Sequence, residues 1–593
     1  MKTHLLMICL ALSAAQAASP AMAQSAFDDS RPHLELRHGV RQLVVDGKPF
    51  MILSGELHNS SATSRAYMEP IWPALAQRNL NTVLATVVWE MIEPQEGRFD
   101  FTTVDDTIQG ARKNHLRLVI LWFGSWKNGE SSYQPAWVKA DPQKYPWVKD
   151  RAGKTLNILS TFGDASRDAD ARAFGALMSH IRQVDGKEHT VLMIQVENEV
   201  GVLGDSRDHI AAANEAYAKP VPEDLMNYLV LHKDTMAPEM RAVWVANGSK
   251  TAGTWEEVFG PGRPDVVPPV PEADRDTAWH QTYWLSDEAF MAWRYSMYVN
   301  KVAAAGKAEY DIPFYCNTWL QEPQNPRPGN FPSGCPEPEV HNIWKFGAPN
   351  IDILAPDNYV PTFAETCERF TRNGNPLFIP ETGANASNAV LAYLKLNTIG
   401  FSPFGIEGGG GGGRRGAPGT AAGAPPPDPL AATYAIFDYL APVILDNQGK
   451  GTIVMLQPMN DTNAEPQTVK LGDYTLTFRY GAAAGGGRRG GGGGGFGGGG
   501  GGGGGVPNPS PARFVINSGP GDYWFVGGPM NVTFTPNSPE RGSVVLGSFD
   551  ETLNVNGRWV AGRRLNGDET GNNTRWPSMG SFGIYHCSVF QRQ

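Results

Sequence analysis

The chain has 593 residues, long enough for a large enzyme core plus an accessory domain. Its 50 basic and 60 acidic side chains leave a formal charge of −10. That balance argues against nucleic acid or an anionic membrane as the main partner and suits a neutral ligand.

Leu5 to Ala18 form a short apolar run behind Lys2, and Ala21-Met22-Ala23 has the small-x-small pattern of a cleavage site. Residues 1–23 therefore read as an export signal, too short to span a bilayer comfortably, and a periplasmic or extracellular location is expected. Cys9 leaves with it, and Cys316, Cys335, Cys367 and Cys587 remain. Export permits disulfides, with Cys316–Cys335 one candidate, although a core of this size does not need them. No Cys/His cluster has metal-ligand spacing, so neither metal nor cofactor is expected.

Continuous apolar segments follow at 51–57, 82–88, 117–123, 191–197, 312–318, 351–357, 376–380 and 399–406. Helical patterns separate or follow them at 68–79, 102–114, 165–183, 287–305 and 429–445, and the fourth places Phe290, Trp293 and Met297 on one face. Eight buried parallel strands alternating with helices predict a (β/α)8 TIM barrel over residues 28–450. A ninth strand candidate, 241–247, lies in a long excursion over 205–285 between strands four and five. After 450 the segments are short, alternating and turn-bounded, which predicts a small antiparallel β-sandwich over 451–593.

Two low-complexity tracts account for the excess of glycine. Residues 408–427 hold 9 and residues 481–508 hold 19 of the 68, leaving 40 in 545, ordinary for a globular protein. The first tract reads as an insertion after strand eight and the second as a loop inside the sandwich. The 16 Trp, 18 Tyr and 26 Phe serve either a big core or ring faces on which a sugar-like ligand stacks.

In a barrel the chemistry stands at the carboxyl ends of strands. Glu199 follows the fourth strand in Gln195-Val196-Glu197-Asn198-Glu199, and Glu381 follows the seventh in Ile379-Pro380-Glu381-Thr382. A barrel can bring two such carboxylates to about 5 Å, the separation that double displacement at a sugar's anomeric carbon requires. One must stay protonated, which burial or a like charge achieves, and the other must be ionised to attack.

Asn198-Glu199 with Glu381 resembles the pattern of clan A glycoside hydrolases. Gly55-Glu56-Leu57-His58, Trp72-Pro73, Trp89, Glu93-Pro94, Gly97 and Phe99-Asp100-Phe101 are similar to the opening of family 35 β-galactosidases, bacterial type with an extra C-terminal β domain. Trp344 and Asp357-Asn358-Tyr359 look more like family 42. The resemblance implies Glu199 as acid/base, Glu381 as nucleophile and Asn198 at the sugar 2-hydroxyl. The strand-end reading adds Tyr359 beside the nucleophile and a loop of Trp126, Lys127 and Asn128 over the mouth, with Trp126 stacking on the sugar. It also places Glu56 and His58 on the floor and Trp319 as a stacking platform. Glu93 reads as a structural tie and Glu407 has no clear role.

Thr86, Ile92, Ser125 and Val200 depart from the family at positions that shape the galactose pocket. The expected function is a retaining exo-acting β-galactosidase trimming plant cell-wall oligosaccharides such as xyloglucan, with a β-galactoside oligosaccharide as partner. The same chemistry on another β-linked sugar, or a non-catalytic glycan-binding protein, are the alternatives.

Overall fold

The computed structural model describes residues 30–262, 285–322, 326–408, 428–459, 465–480, 512–538, 542–570 and 578–592. The expected export signal, Cys9, nearly all of the first glycine tract and the whole of the second lie outside the described residues.

Strands β1 (His33–Arg37), β2 (Val40–Val45) and β3 (Lys48–Pro49) form a small antiparallel sheet that the sequence pattern did not predict. The barrel comprises β4 (Ile52–Glu56), β5 (Thr82–Val88), β6 (Arg117–Phe123), β9 (Val191–Val196), β10 (Phe314–Trp319), β11 (Ile353–Asn358), β12 (Ile379–Thr382) and β13 (Gly400–Pro403). These strands close in the order β10-β11-β12-β13-β4-β5-β6-β9, all parallel. The hairpin β7 (Trp147–Lys149) and β8 (Thr155–Leu159) is inserted after the third barrel strand.

Barrel strands bury both faces, which is why their sequences are apolar throughout. In β5, Val83, Ala85 and Val87 pack outward under the helices. Leu84 and Val88 turn inward to join Ile52, Val119, Leu121, Phe123 and Ile353 in a second cluster that fills the barrel. Leu43 and Val45 of β2 belong to that cluster. The period-2 alternation of a strand then aims Glu56, four residues after Ile52, and Asp357, four after Ile353, into the carboxyl end of the barrel.

The excursion after β9 is helical where described, with helices Ala211–Tyr217, Glu223–Leu231, Pro238–Ala246 and Trp255–Phe259. This corrects the strand expected at 241–247. Pro238 opens a helix there, and Met240 and Trp244 bury one face at a spacing of four. On helix Leu285–Glu309, Tyr217 and Trp255 of the excursion cover Phe290, and Trp293 is half-buried. Met297, two turns on, emerges 45 % exposed instead of sharing that buried face.

The carboxyl-terminal region is a two-sheet antiparallel sandwich. Its strands are β14 (Ile453–Leu456), β15 (Gln467–Leu471), β16 (Tyr474–Tyr480), β17 (Arg513–Gly519), β18 (Asp522–Gly527), β19 (Met530–Pro536), β20 (Ser543–Val555), β21 (Arg558–Arg564), β22 (Ser578–Met579) and β23 (Gly583–Arg592). One sheet runs β14-β17-β18-β23-β20-β21 and the other β15-β16-β19-β22. Leu476, Phe478, Val515, Phe525 and Val532 fill the space between them. Phe514 and Ile516 point the other way, into the barrel's own core, where Phe437 of helix Pro429–Asn447 meets Phe514 at 6.5 Å. A shared core thus ties sandwich to barrel. The four cysteines in the described residues are buried and unbridged, including Cys316 and Cys335.

Candidate active site

The turn after β9 is the most constrained backbone at the barrel mouth. Glu197 and Glu199 both adopt positive φ, 63° and 45°, a conformation that costs a non-glycine residue of order 1 kcal/mol and persists only when its surroundings hold it. The Glu197 carboxyl accepts the Trp126 N–H at 2.9 Å and lies against Asp170. Asp170 in turn accepts from the Trp122 indole at 2.9 Å and the Ser125 hydroxyl at 2.6 Å. The Glu199 N–H donates to Asn317 Oδ1 at 2.9 Å, and the Glu199 carbonyl accepts the Gly129 N–H at 2.9 Å. These bonds force the intervening side chains, Asn198 and Glu199, toward the mouth.

Glu381 stands at the end of β12, directly beside Asp357 in the β11–β12 register. The Tyr359 hydroxyl donates to Glu381 Oε1 at 2.8 Å. Glu56, Glu199, Asp357 and Glu381 surround one ammonium, that of Lys127. Burial raises Glu199 to about 7, with Lys127 pulling it down and the Glu381 charge pushing it up. Burial raises Glu56 and Asp357 well above the usual carboxyl range, and Glu381 adds to both. Burial opposes the Lys127 charge, yet the carboxyls together hold its pKa above the ordinary value. The Tyr359 hydroxyl is pushed up by burial and by Glu381, so it remains a donor.

These buried groups are not satisfied by one another through ordinary N–H or O–H donors. Among the described residues, Glu56 Oε1, Asn198 Nδ2, Glu199 Oε2, Asp357 Oδ1 and Glu381 Oε2 have no N–H or O–H partner. A buried polar atom without a partner costs about 1–3 kcal/mol, so the arrangement is suited to a ligand that supplies the missing bonds. Acceptors outnumber donors, which favours a ligand rich in hydroxyls.

Of the residues singled out from sequence, Glu56, Lys127, Asn198, Glu199, Tyr359 and Glu381 therefore converge. Asn128 joins them through its backbone N–H, which donates to Asn198 Oδ1 at 3.3 Å. His58 sits at the rim, where its Nδ1 and backbone N–H both bond Glu407 Oε1, at 2.9 and 3.0 Å. Glu407 thereby ties the ends of β13 and β4 together. Trp319, half-buried at the end of β10, pairs in register with Asp357. Trp126 is the correction. Its ring is 1 % exposed, wedged against Tyr295 and Tyr298 at 4.9 and 4.5 Å, with its indole N–H on the Leu159 carbonyl at 3.1 Å. It supports the loop from behind and presents no face to the mouth. Glu93 is a buried tie, accepting from the Trp89 indole at 2.9 Å and the Gly97 N–H at 2.7 Å.

Sequence reasoning passed over Asn317, Asp357, Asp170 and Glu197 as site residues. A polar residue at an inward position of a strand end is the signal that would have found Asn317 and Asp357. Ser125, which departs from the family pattern in the sequence, turns to Asp170 at 2.6 Å and to the Tyr298 hydroxyl at 2.8 Å.

Residues 42–259, from β2 to the end of the excursion's described helices, match the profile of glycosyl hydrolases family 35. A β-galactosidase of Xanthomonas manihotis is 30 % identical over 183 residues, 30 % of this chain and 28 % of that protein. Beta-galactosidase 14 of Arabidopsis thaliana is 25 % identical over 132 residues, 20 % of this chain and 14 % of that protein. The matches span under a third of the length of these relatives. Among solved structures, the β-galactosidase of Rahnella sp. R3 aligns with a TM-score of 0.40 at 15 % identity, covering 66 % of this chain and 56 % of that one. Residues 430–576 match a domain of unknown function, DUF5597, which takes in the last barrel helix together with most of the sandwich.

Proposed function

We propose that this chain is a retaining β-galactosidase acting from the chain end, with Glu381 as nucleophile and Glu199 as acid/base. The observation that carries the reading is the set of buried atoms on Glu56, Asn198, Glu199 and Glu381, unpartnered among the described residues, at strand ends of a barrel whose first four strands match family 35. The Tyr359 bond to Oε1 fixes the Glu381 carboxylate and leaves Oε2 to attack the anomeric carbon. Glu199, with a pKa of about 7, still holds a proton at slightly acid pH and gives it to the departing oxygen. Once Glu381 is esterified its charge is gone, and with it one of the influences that hold Glu199 protonated. Glu199 then ionises more readily and serves as base toward water, which releases the sugar with its configuration retained. Asn198 Nδ2 is placed to hold the 2-hydroxyl, Lys127 and Glu56 to bind hydroxyls deeper in the pocket, and Trp319 to stack on the ring.

Action at the chain end is supported by the wall around the pocket. Val202 pairs with Ser333, and Gly129 bonds Glu199, so the loops after β6, β9 and β10 are joined on one side of the mouth. The substrate class we assign is galactosylated plant cell-wall oligosaccharides such as xyloglucan fragments, met outside the cytoplasm after export through the amino-terminal segment. Initial rates on aryl β-galactoside, glucoside, fucoside, arabinoside and xyloside, with the product anomer read by NMR, test the reading. Preference for the galactoside and first release of the β anomer are expected. First release of the α anomer would overturn retention, and preference for another glycoside would overturn the sugar.

A further inference from the structure

Three backbone N–H groups of the loop after β6 meet three consecutive residues after β9. The Trp126 N–H donates to Glu197 Oε2 at 2.9 Å, the Asn128 N–H to Asn198 Oδ1 at 3.3 Å, and the Gly129 N–H to the Glu199 carbonyl at 2.9 Å. The last two donors belong to one tight turn. Lys127 and Glu130 exchange both of their backbone hydrogen bonds, at 2.8 and 3.0 Å, and Asn128 and Gly129 between them have φ of 54° and 62°. Positive φ at both central positions defines a type I′ turn, for which Asn-Gly is the favoured pair. The outer residues of such a turn satisfy each other, so the two central N–H groups are left to face outward. Here both face the acid/base segment, one on Asn198 and one on Glu199.

A side-chain amide offers an acceptor at one end and a donor at the other. With Oδ1 of Asn198 on the Asn128 N–H, Nδ2 is turned the opposite way, buried and without an acceptor among the described residues. The flipped amide would set its own N–H groups against that of Asn128. The turn therefore decides that position 198 presents a donor. The same turn holds the carbonyl of Glu199, a residue at positive φ whose N–H is tied to Asn317 at 2.9 Å. We propose that the Asn128-Gly129 turn is a positioning element that orients the Asn198 amide toward the sugar 2-hydroxyl and holds Glu199 in line with the departing oxygen. The inference rests on the roles given above to Asn198 and Glu199. Glycine at 129 is part of the device. A Cβ there would lie 2.9 Å from Leu203 Cγ and 3.2 Å from Pro332 Cγ, so a side chain drives the turn away from the Glu199 carbonyl.

The test is kcat/KM of Gly129→Ala on the preferred aryl glycoside, on its 2-deoxy counterpart, and on a pair with good and poor leaving groups. The preference for the 2-hydroxyl is expected to fall about tenfold, the scale of one lost hydrogen bond in a buried site. The substrate with the poor leaving group is expected to lose more than the one whose leaving group departs without protonation. Gly129→Ala/Leu203→Ala, which removes the obstructing side chain, is expected to recover most of both losses. Unchanged kinetics in Gly129→Ala, equal losses on every substrate, or no recovery in the double variant would each overturn the proposal. If neither variant folds, amide hydrogen exchange in the native protein answers instead. Protection of the Asn128 and Gly129 amides supports the proposal, and exchange at the rate of an open turn overturns it. Absence of turnover by the native protein on any glycoside would remove the glycosidase reading, while the exchange of the two amides would still be observable.

Discussion

Two buried groups of carboxyls among the described residues differ in how they are satisfied. The group at the barrel mouth, Glu56, Glu199, Asp357 and Glu381, surrounds one lysine and leaves an oxygen of each member without an ordinary donor. The second group lies outside that mouth, where Glu239, Glu337 and Glu339 meet Arg369, with Arg372 on Glu239 and with Glu288 beside Glu337 and Glu339. Arg369 donates to Glu239 and Glu339 at 3.4 and 3.3 Å, Arg372 reaches Glu239 at 3.0 Å, and Glu337 accepts the Gln321 N–H. Glu288 Oε1 is the exception, and burial keeps that carboxyl well above the usual range. Burial raises Glu337 to about 8, much as it raises Glu199 to about 7. A perturbed carboxyl therefore does not by itself mark chemistry. Unmet hydrogen-bonding capacity facing a barrel mouth separates the first group from the second.

The largest expected effect breaks the comparison on the catalytic side. Glu381→Gln keeps the volume and the Tyr359 contact but removes the attacking charge. Turnover is expected to fall by roughly a thousandfold or more, while the thermal midpoint stays put or rises as one charge leaves a crowded site. Near-normal turnover would move the nucleophile elsewhere. The converse variant is Arg369→Met in the second group. It leaves Glu239 and Glu339 short of a buried cation, a change that typically costs about 3–5 kcal/mol of stability. The rate per folded molecule is expected to be unchanged, measured at a temperature where both proteins remain native. A drop in that rate would erase the distinction between the two groups.

The barrel was legible because its strands are apolar on both faces and its two glutamates follow strand ends. Other features were not, for reasons of register and periodicity. Residues 241–247 alternate well enough to pass for a strand, and only Pro238 in the first turn with Met240 and Trp244 at helical spacing reveals the helix. The sheet β1–β3 is short and half-exposed, so its pattern is weak. Asp357 is mute as a letter. It gains meaning from pairing with Glu381 across the sheet and from Asn317, 40 residues earlier. Glu407 likewise has no local signal, because its partners His58 and Ser61 lie nearly 350 residues away in the chain.

Trp126 gives the smallest and sharpest test of that lesson. A tryptophan in a loop after a barrel strand invites a stacking role, and its neighbours Lys127 and Asn128 do reach the site. The side chain itself turns back into the protein, between Tyr295 and Tyr298, and donates to Leu159. Its backbone N–H, which any residue supplies, is the part that holds Glu197. Trp126→Phe keeps that N–H and most of the ring while losing one buried hydrogen bond, a cost of about 1–2 kcal/mol in unfolding free energy. KM is expected to stay within about a factor of two, because packing behind the loop is largely conserved. Trp319→Ala, at the half-buried end of β10, is expected to raise KM with little change in stability. A large rise in KM for Trp126→Phe with none for Trp319→Ala would exchange the two roles and place the sugar against the loop after β6.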